Sequence, residues 1–272
     1  MYEMNTNCIR LGLIGKDVSK STSAQIHKFI LGEWGIACEY EKFSVSPAEF
    51  DTVMRRLIGD FDGFNVTSPY KRDVFSYLNG IDADAVSCGA VNTVITQSLR
   101  GYNTDGVGFL LMLETAKIEV RGKRVLVLGA GGAGRSTAVA LKNAGANVFM
   151  YRRNQTELQE VCIQLGVTAV EDPEVGGFDI LINCTGVGMH DSEGVSPVTE
   201  KAFEGAKTAI DLIYTPEKSA FLEMAEQRGL QILNGAAMLF YQAYYADCLY
   251  TERKASANQA EILYKKYLQT VK

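Results

Sequence analysis

Four polar segments in the first part of the chain carry side chains that could bind and transform a small polar molecule. They cover residues 21–23, 65–71, 89–93 and 101–106. Open α/β sheets bind ligands beyond the carboxyl ends of their strands, and each segment borders a predicted strand or helix. Taken singly, each also has an ordinary interpretation as a helix cap, a turn or a surface lysine. Together they favour a site for a polyhydroxylated small acid, with Lys71 and Asp105 as charged groups.

A glycine pattern in the middle of the chain could bind a nucleotide. Gly129, Gly131 and Gly134 form G-x-G-x-x-G between the apolar run 125–128 and a helix-like stretch that ends at Gly145. The first glycine permits a tight turn, the second lets a pyrophosphate approach the backbone, and the third lets helix and strand pack closely. The N–H groups at the helix N-terminus favour phosphate. This context predicts a dinucleotide site, the alternative being a glycine-rich turn without a ligand.

The residues that follow the next predicted strand bear on which dinucleotide is bound. NAD sites carry Asp or Glu about 20 residues beyond the glycine loop, to bind the ribose hydroxyls. This chain has Arg152 and Arg153 there, between Tyr151 and Asn154, and no acid. Arginine forms planar, forked hydrogen bonds with phosphate, so the pair favours the 2′-phosphate of NADP. The alternative is two solvated surface arginines.

Hydrophobic patterning predicts an α/β protein with two domains. Apolar runs alternate with helix-like stretches in the second part, at 125–128, 148–151, 179–183, 209–213 and 231–233. This alternation predicts a Rossmann-type, doubly wound parallel sheet. The first part also alternates, with predicted strands at 8–14, 40–45 and 63–66 and predicted helices at 23–34 and 47–58. It predicts an N-terminal α/β domain, and the aromatic-rich stretch 238–268 is predicted to be helical.

Composition excludes several other classes of protein. The 272 residues carry 27 Lys and Arg against 32 Asp and Glu, a net charge of −5, which gives no global attraction for nucleic acid or an anionic membrane. No apolar run approaches the roughly 18–20 residues of a membrane span, and the N-terminal segment lacks the pattern of a secretion signal. The six cysteines and two histidines lack zinc-site spacing. We expect a cytoplasmic protein with reduced thiols and no metal.

In order and over nearly the whole chain, the motifs resemble those of the shikimate dehydrogenase family. They are G-x-x-x-x-x-S-x-S at 15–23, N-V-T-x-P-x-K at 65–71, G-A-V-N-T at 89–93, N-T-D-G at 103–106, G-A-G-G-A at 129–133, N-x-T-x-x-G-M at 183–189, D-L-x-Y-x-P at 211–216 and G-x-x-M-L-x-x-Q at 235–242. The chain departs from the family's motifs at Lys20, Ala24 and Ala237, and its phosphate clamp keeps only the arginine. These departures bear on substrate preference and cofactor affinity.

The resemblance implies an NADP-dependent oxidoreductase of aromatic amino acid biosynthesis that interconverts shikimate and 3-dehydroshikimate by hydride transfer. It implies that Lys71 and Asp105 are the catalytic pair, with Lys71 as the acid–base group. The implied substrate-binding residues are Ser21, Ser23, Thr67, Asn92, Asp105, Tyr214 and Gln242. The implied cofactor-binding residues are Gly129, Ala130, Gly131, Gly132, Ala133, Arg152, Arg153, Leu212 and Gly235.

The resemblance also implies how the chain is organised and what it binds. A substrate-binding and catalytic domain would cover 1–105, completed by C-terminal helices at about 238–272, and an NADP-binding Rossmann domain would cover 106–237. The partner would be shikimate or a close analogue, with no nucleic acid and no membrane, and the protein would be a monomer or homodimer. Two alternatives stay open: a quinate/shikimate dehydrogenase of relaxed preference, and a non-catalytic sensor of the same fold. The intact Lys71 and Asp105 argue against the sensor.

Overall fold

The computed structural model describes residues 8–271, which form two compact units. The first unit ends at Gly108 and resumes at Leu239, and the second is Phe109–Met238. Residues 1–7, on which the expectation of no secretion signal largely rests, and residue 272 lie outside the described residues. Both units alternate strands and helices, which confirms the α/β fold class. No helix within residues 8–271 has the length and apolar character needed to cross a membrane.

The first unit is built on a mixed sheet. In spatial order its strands are β2 (Ala37–Ser44), β1 (Cys8–Gly15), β3 (Gly63–Val66), β5 (Thr93–Ile95), β6 (Arg100–Tyr102) and β4 (Gly80–Ile81). Strands β1, β2 and β3 run parallel to one another, whereas β5 runs antiparallel to both of its neighbours. The sequence predicted β1, β2 and β3, with ends shifted by a few residues. Antiparallel strands can be joined by a short turn, and three-residue strands are too short to show a repeating pattern. The sequence therefore did not predict β5 and β6.

Helices α1 (Ser23–Glu33), α2 (Phe50–Asp60) and α3 (Ala83–Cys88) also belong to this unit. The C-terminal stretch 238–268, predicted to be helical, forms two helices, α8 (Ala236–Tyr250) and α9 (Ala257–Thr270). The polar segment 251–256 separates them, and Ser256 caps α9 by accepting a hydrogen bond from the Gln259 amide at 3.4 Å. A side-chain cap of this kind satisfies a free amide of the first turn and so favours a new helix start at that point.

The second unit is built on a six-stranded parallel sheet. In spatial order its strands are β9 (Thr168–Ala169), β8 (Asn147–Tyr151), β7 (Arg124–Leu128), β10 (Ile180–Asn183), β11 (Thr208–Asp211) and β12 (Gln231–Asn234). Counted within the unit this is the order 3-2-1-4-5-6 of a Rossmann fold. Helices α5 (Gly132–Asn143), α6 (Gln155–Leu165) and α7 (Ala220–Gln227) lie between the strands in sequence.

The central strand of the second unit shows why its sequence was predictable. Val125, Leu126 and Val127 in β7 are fully buried, so side chains on both faces of the strand are covered. A strand buried on both faces must be apolar throughout, and that produces the continuous run seen in the sequence. Phe178 and Phe221, both buried, belong to the core cluster of this unit. The two-residue strand β9 carries no such run and was not predicted.

Candidate active site

The four polar segments meet at one edge of the first unit's sheet. Strands β1 and β3 are parallel neighbours with Ile14 paired to Val66, so the segments that follow them leave the sheet side by side. Strand β5 begins at that edge, since its Thr93 pairs with Asn65 of β3 and with Tyr102 at the end of β6. The fold therefore brings together segments that lie far apart in sequence.

Lys71 and Asp105 form an ion pair at this edge. Lys71 follows β3 by a short turn, and Asp105 is the first residue of α4 (Asp105–Thr115). The Lys71 Nζ donates to Asp105 Oδ2 at 2.5 Å, and the two side chains are only 15% and 11% exposed. The start of a helix favours a carboxylate because the helix dipole is positive there. The arrangement places a largely buried ammonium group beside a fixed carboxylate, which is a geometry suited to moving a proton.

Asn92 holds the other oxygen of Asp105. Its Nδ2 donates to Asp105 Oδ1 at 2.8 Å, and its Oδ1 accepts from the Thr104 amide at 2.9 Å and from the Thr93 hydroxyl at 2.9 Å. A backbone amide can only donate, so the Thr104 contact settles which end of the Asn92 amide faces Asp105. Both Asp105 oxygens thus accept hydrogen bonds, which fixes the orientation of the carboxylate beside Lys71.

Gln242 approaches the same cluster from α8. Its Oε1 lies 3.4 Å from the Thr104 hydroxyl and 3.5 Å from Asn92 Nδ2. Gly108 in α4 permits this approach, because a Cβ on Gly108 would lie 2.6 Å from the Gln242 backbone nitrogen. Helix contacts this close require a residue without a side chain. The glycine therefore determines how near Gln242 comes to the Lys71–Asp105 pair.

The two serines lie together at the N-terminus of α1. Ser21 Oγ donates to Ser23 Oγ at 3.0 Å and accepts from the Ser23 amide at 3.2 Å. The N-cap residue is Thr22, and its side chain makes no capping hydrogen bond. Lys42 on β2 supports the turn by donating to the carbonyl oxygens of Ser19 and Ser21 at 2.6 and 3.2 Å. Two hydroxyls separated by one hydrogen bond can bind the two oxygens of a carboxylate.

Thr67 completes the set in the first unit. It is the first residue after β3, its amide donates to the Ile14 carbonyl at 2.9 Å, and it is half-buried. Of the residues implied to bind substrate, six lie in this unit: Ser21, Ser23, Thr67, Asn92, Asp105 and Gln242. The seventh, Tyr214, lies in the second unit and is 38% exposed.

The glycine loop of the second unit fits a dinucleotide. Gly129 has φ +102°, a value that favours glycine, and a Cβ on Gly134 would overlap the Gly129 carbonyl oxygen. Gly131 is the N-cap of α5 and offers no side-chain cap, and a Cβ on it would meet nothing within 4 Å. The first turn of α5 therefore presents backbone N–H groups that no capping side chain satisfies beside open space, as a pyrophosphate requires. Ala130 and Ala133 complete the loop with small side chains.

Arg152 and Arg153 follow β8 and differ in their surroundings. Arg152 forms an ion pair with Glu157 in the first turn of α6, and its carbonyl accepts from Gln155 Nε2 at 2.8 Å. Arg153 is exposed, and within residues 8–271 its guanidinium makes no ion pair. Asn154 caps α6 by accepting from the Glu157 amide. Of the two arginines, Arg153 is the one whose charge is available to a phosphate.

The ends of β10 and β11 are joined by a buried carboxylate that the functional interpretation of the sequence did not single out. Asp211 accepts hydrogen bonds from Ser219 Oγ at 2.5 Å, Asn183 Nδ2 at 3.0 Å and the Ile213 amide at 3.0 Å. Burial raises the pKa of Asp211, and these three hydrogen bonds oppose the rise. The network orders the segment that carries Leu212, and Gly235 packs against that segment, since a Cβ on Gly235 would overlap the Leu212 carbonyl. The N-x-T and D-L-x-Y motifs contain Asn183 and Asp211 and could have indicated this network.

Comparison with known proteins identifies the family. Residues 13–94 match the model of the shikimate dehydrogenase substrate binding domain. The shikimate dehydrogenase (NADP(+)) of Caldanaerobacter subterraneus is 36% identical over 88% of this chain and 90% of its own length. The crystal structure of a chorismate mutase/shikimate 5-dehydrogenase fusion protein from Clostridium acetobutylicum is 31% identical with a TM-score of 0.89, and 98% of this chain and 99% of that chain are covered.

A second solved structure is a complex with both a dinucleotide and shikimate. Shikimate 5-dehydrogenase from Thermus thermophilus, in complex with NADP(H) and shikimate, is 31% identical with a TM-score of 0.87, and 95% of this chain and 99% of that chain are covered. Identity above 30% over most of both chains confirms the resemblance found in the sequence. The chain belongs to the shikimate dehydrogenase family.

Proposed function

We propose that this protein is an NADP-dependent shikimate dehydrogenase, which interconverts shikimate and 3-dehydroshikimate in the pathway to aromatic amino acids. The observation that carries the proposal is the Lys71–Asp105 pair, joined at 2.5 Å at the edge where the four polar segments meet. A sensor that only binds the ligand has no need of a lysine held against a carboxylate, and the family relatives described above are dehydrogenases by name.

Lys71 is the acid–base group in this proposal. When the ketone is reduced, its ammonium group gives a proton to the carbonyl oxygen; when the alcohol is oxidised, the neutral amine accepts the hydroxyl proton. When bound, the reduced cofactor NADPH would supply the hydride for ketone reduction, and the oxidised cofactor NADP⁺ would accept the hydride in alcohol oxidation. Asp105 orients Lys71 and accepts a hydrogen bond from a ring hydroxyl. Asn92 keeps Asp105 in place through the hydrogen bond that it donates to Asp105 Oδ1.

The remaining residues bind the two reactants. We assign the substrate carboxylate to Ser21 and Ser23, and the ring hydroxyls to Thr67, Asn92, Asp105 and Gln242, with Tyr214 as a further contact. The first unit would thus bind the substrate. The second unit would bind NADP through residues 129–133, with Arg153 rather than Arg152 on the 2′-phosphate and Leu212 and Gly235 along the nicotinamide.

The cellular setting and assembly are also proposals. The six cysteines, all of them among the described residues, carry thiols, and burial raises the pKa of Cys38 and Cys184 to about 12. Cysteines that all carry thiols fit a reducing compartment, and the protein is proposed to act in the cytoplasm as a monomer or homodimer.

One assay tests the proposal: reduction of NADP and of NAD by the purified protein with shikimate and with quinate. Activity with NADP and shikimate is expected. Quinate carries an extra hydroxyl on a tetrahedral carbon next to the carboxylate, and the two small hydroxyls of Ser21 and Ser23 suit the flatter acid. We expect kcat/KM to favour shikimate by roughly 10- to 200-fold, the range for small differences in a pocket. Equal or higher efficiency with quinate would overturn the substrate assignment, and binding without turnover would favour the sensor.

A further inference from the structure

A line of hydrogen bonds leads from Tyr40 to the Lys71–Asp105 pair. The Tyr40 hydroxyl donates to Asn65 Oδ1 at 3.0 Å, and Asn65 Nδ2 donates to Thr93 Oγ1 at 3.3 Å. The Thr93 hydroxyl donates to Asn92 Oδ1 at 2.9 Å. Asn92, in turn, donates to Asp105. We call Tyr40, Asn65, Thr93 and Asn92 the tyrosine relay.

In every hydrogen bond of the relay, the donor lies on the Tyr40 side and the acceptor lies on the Asp105 side. An aligned series of donors polarises each successive bond, so the last donor of the series is strengthened. Asn65, Thr93 and Asn92 are buried, with exposures of 6%, 0% and 3%, so water does not replace a lost partner. A buried amide or hydroxyl that loses its partner turns or remains unsatisfied, and either outcome disturbs the next residue of the relay.

The Tyr40 hydroxyl remains a donor at the start of the relay. Desolvation raises the pKa of that phenol well above its usual value, with the Asp247 charge adding to the rise. The phenol therefore stays protonated and keeps donating toward Asn65.

The ring of Tyr40 packs on a histidine that is itself joined to a buried carboxyl group. His27 stacks on Tyr40 with ring centroids 5.0 Å apart and an angle of 18° between the ring planes. His27 Nδ1 and Asp247 Oδ1 are 2.6 Å apart, and both side chains are fully buried. His27 lies one turn after Ser23 on α1, and Asp247 lies on α8, the helix that carries Gln242. The ring is thus fixed to the two helices that contribute Ser23 and Gln242.

We propose that Tyr40 is a positioning residue for the dehydrogenase reaction: through the relay, its hydroxyl sets the placement of Asp105 beside Lys71. The inference rests on the proposed function, because it concerns the binding and turnover of shikimate. The proposed function assigns Tyr40 no contact with substrate or cofactor. Tyr40 acts through the relay on the carboxylate that orients Lys71.

The test is Tyr40→Phe, which removes one oxygen atom and keeps the ring on His27. A neutral hydrogen bond is worth about 0.5–1.5 kcal/mol, so kcat/KM for shikimate should fall by roughly 3- to 10-fold at saturating NADP. The KM for NADP should stay unchanged, because the relay lies wholly in the first unit. Thr93→Val, which breaks the relay downstream, should give the same selective loss and serves as an independent variant if Tyr40→Phe does not fold.

Tyr244→Phe is the matched control. Its hydroxyl is also in the first unit, where it accepts from the Ser256 amide at 3.0 Å and donates to Gln259 at 3.3 Å, remote from the relay. It should lower the melting temperature by a similar amount without changing kcat/KM for shikimate. An equal kinetic loss in Tyr244→Phe would show that general destabilisation explains the effect and would overturn the proposal.

The double variant Tyr40→Phe/Thr93→Val separates a relay from two independent defects. If Tyr40 acts through Thr93, the double variant should lose little more than either single variant. Fully multiplied losses, or unchanged kinetics in Tyr40→Phe, would overturn the inference and leave the proposed function intact. Failure of the wild-type protein to turn over shikimate would instead overturn the proposed function.

Discussion

Arg152 and Arg153 offer a sharp test of the cofactor assignment, because two adjacent residues of the same type have different surroundings. Arg153 is exposed, and within the described part of the chain its charge has no acidic partner, whereas Arg152 is paired with Glu157. A charge-assisted hydrogen bond is worth about 1.5–3 kcal/mol, which is roughly 10- to 150-fold in affinity. Arg153→Ala should therefore raise the KM for NADP by that factor and leave the KM for NAD, which lacks the 2′-phosphate, nearly unchanged.

Arg152→Ala is the matched control for this prediction. It removes an exposed ion pair worth at most about 1 kcal/mol, so the KM for NADP should change by less than about 5-fold. The assay is steady-state reduction of NADP and of NAD at saturating shikimate with both variants. A larger loss in Arg152→Ala than in Arg153→Ala, or equal losses with both dinucleotides, would refute the assignment of the 2′-phosphate to Arg153.

Two further predictions concern the glycine loop of the second unit and the buried contact between His27 and Asp247 in the first unit. Gly131→Ala should leave the melting temperature unchanged, since its Cβ meets nothing within 4 Å, but should weaken the binding of NADP and NAD alike. Gly134→Ala should lower both the melting temperature and the affinity for the dinucleotides, because its Cβ overlaps the Gly129 carbonyl. An equal loss of stability in the two variants would contradict this prediction. Burial raises the pKa of Asp247 from 3.8 to about 6, with His27 opposing the rise. Because the pKa of Asp247 is higher in the folded protein than in the unfolded chain, its contribution to the free energy of unfolding is fully present below pH 3.8. That contribution, about 3 kcal/mol in total, is lost as the pH rises through the folded-state pKa of about 6. Wild type should therefore lose about 1 kcal/mol relative to Asp247→Asn between pH 5 and pH 7 in urea unfolding, and parallel pH profiles would contradict the account.

The sequence was most informative where a structural requirement leaves a local pattern. β7 must be apolar on both faces, and the dinucleotide loop needs glycine at Gly129 and Gly134, so both could be predicted from a few adjacent letters. The Lys71 and Asp105 motifs were equally visible, and the shared edge of the sheet explains why they meet.

The tyrosine relay could not be predicted in the same way. Tyr40 and Asn65 lie on strands that both pair with β1, and they meet only because Leu11 is in register with Tyr40 and Leu13 with Asn65. Register between non-adjacent strands is a property of the folded sheet, and a shift of one residue would turn Tyr40 to the other face. His27 and Asp247 are 220 positions apart and leave no local pattern at all. The break between α8 and α9 depends on a cap that helix periodicity does not reveal.

The most direct test of the central claim is the turnover of shikimate and NADP by Lys71→Ala compared with wild type. Lys71 is proposed to move the proton at the reacting oxygen, and loss of a general acid–base group lowers the rate by roughly 10²- to 10⁴-fold. The KM for shikimate should change much less, because Ser21, Ser23 and Gln242 still bind the ring and carboxylate. A Lys71→Ala variant with near-normal kcat would contradict the account and remove the Lys71–Asp105 pair from the mechanism.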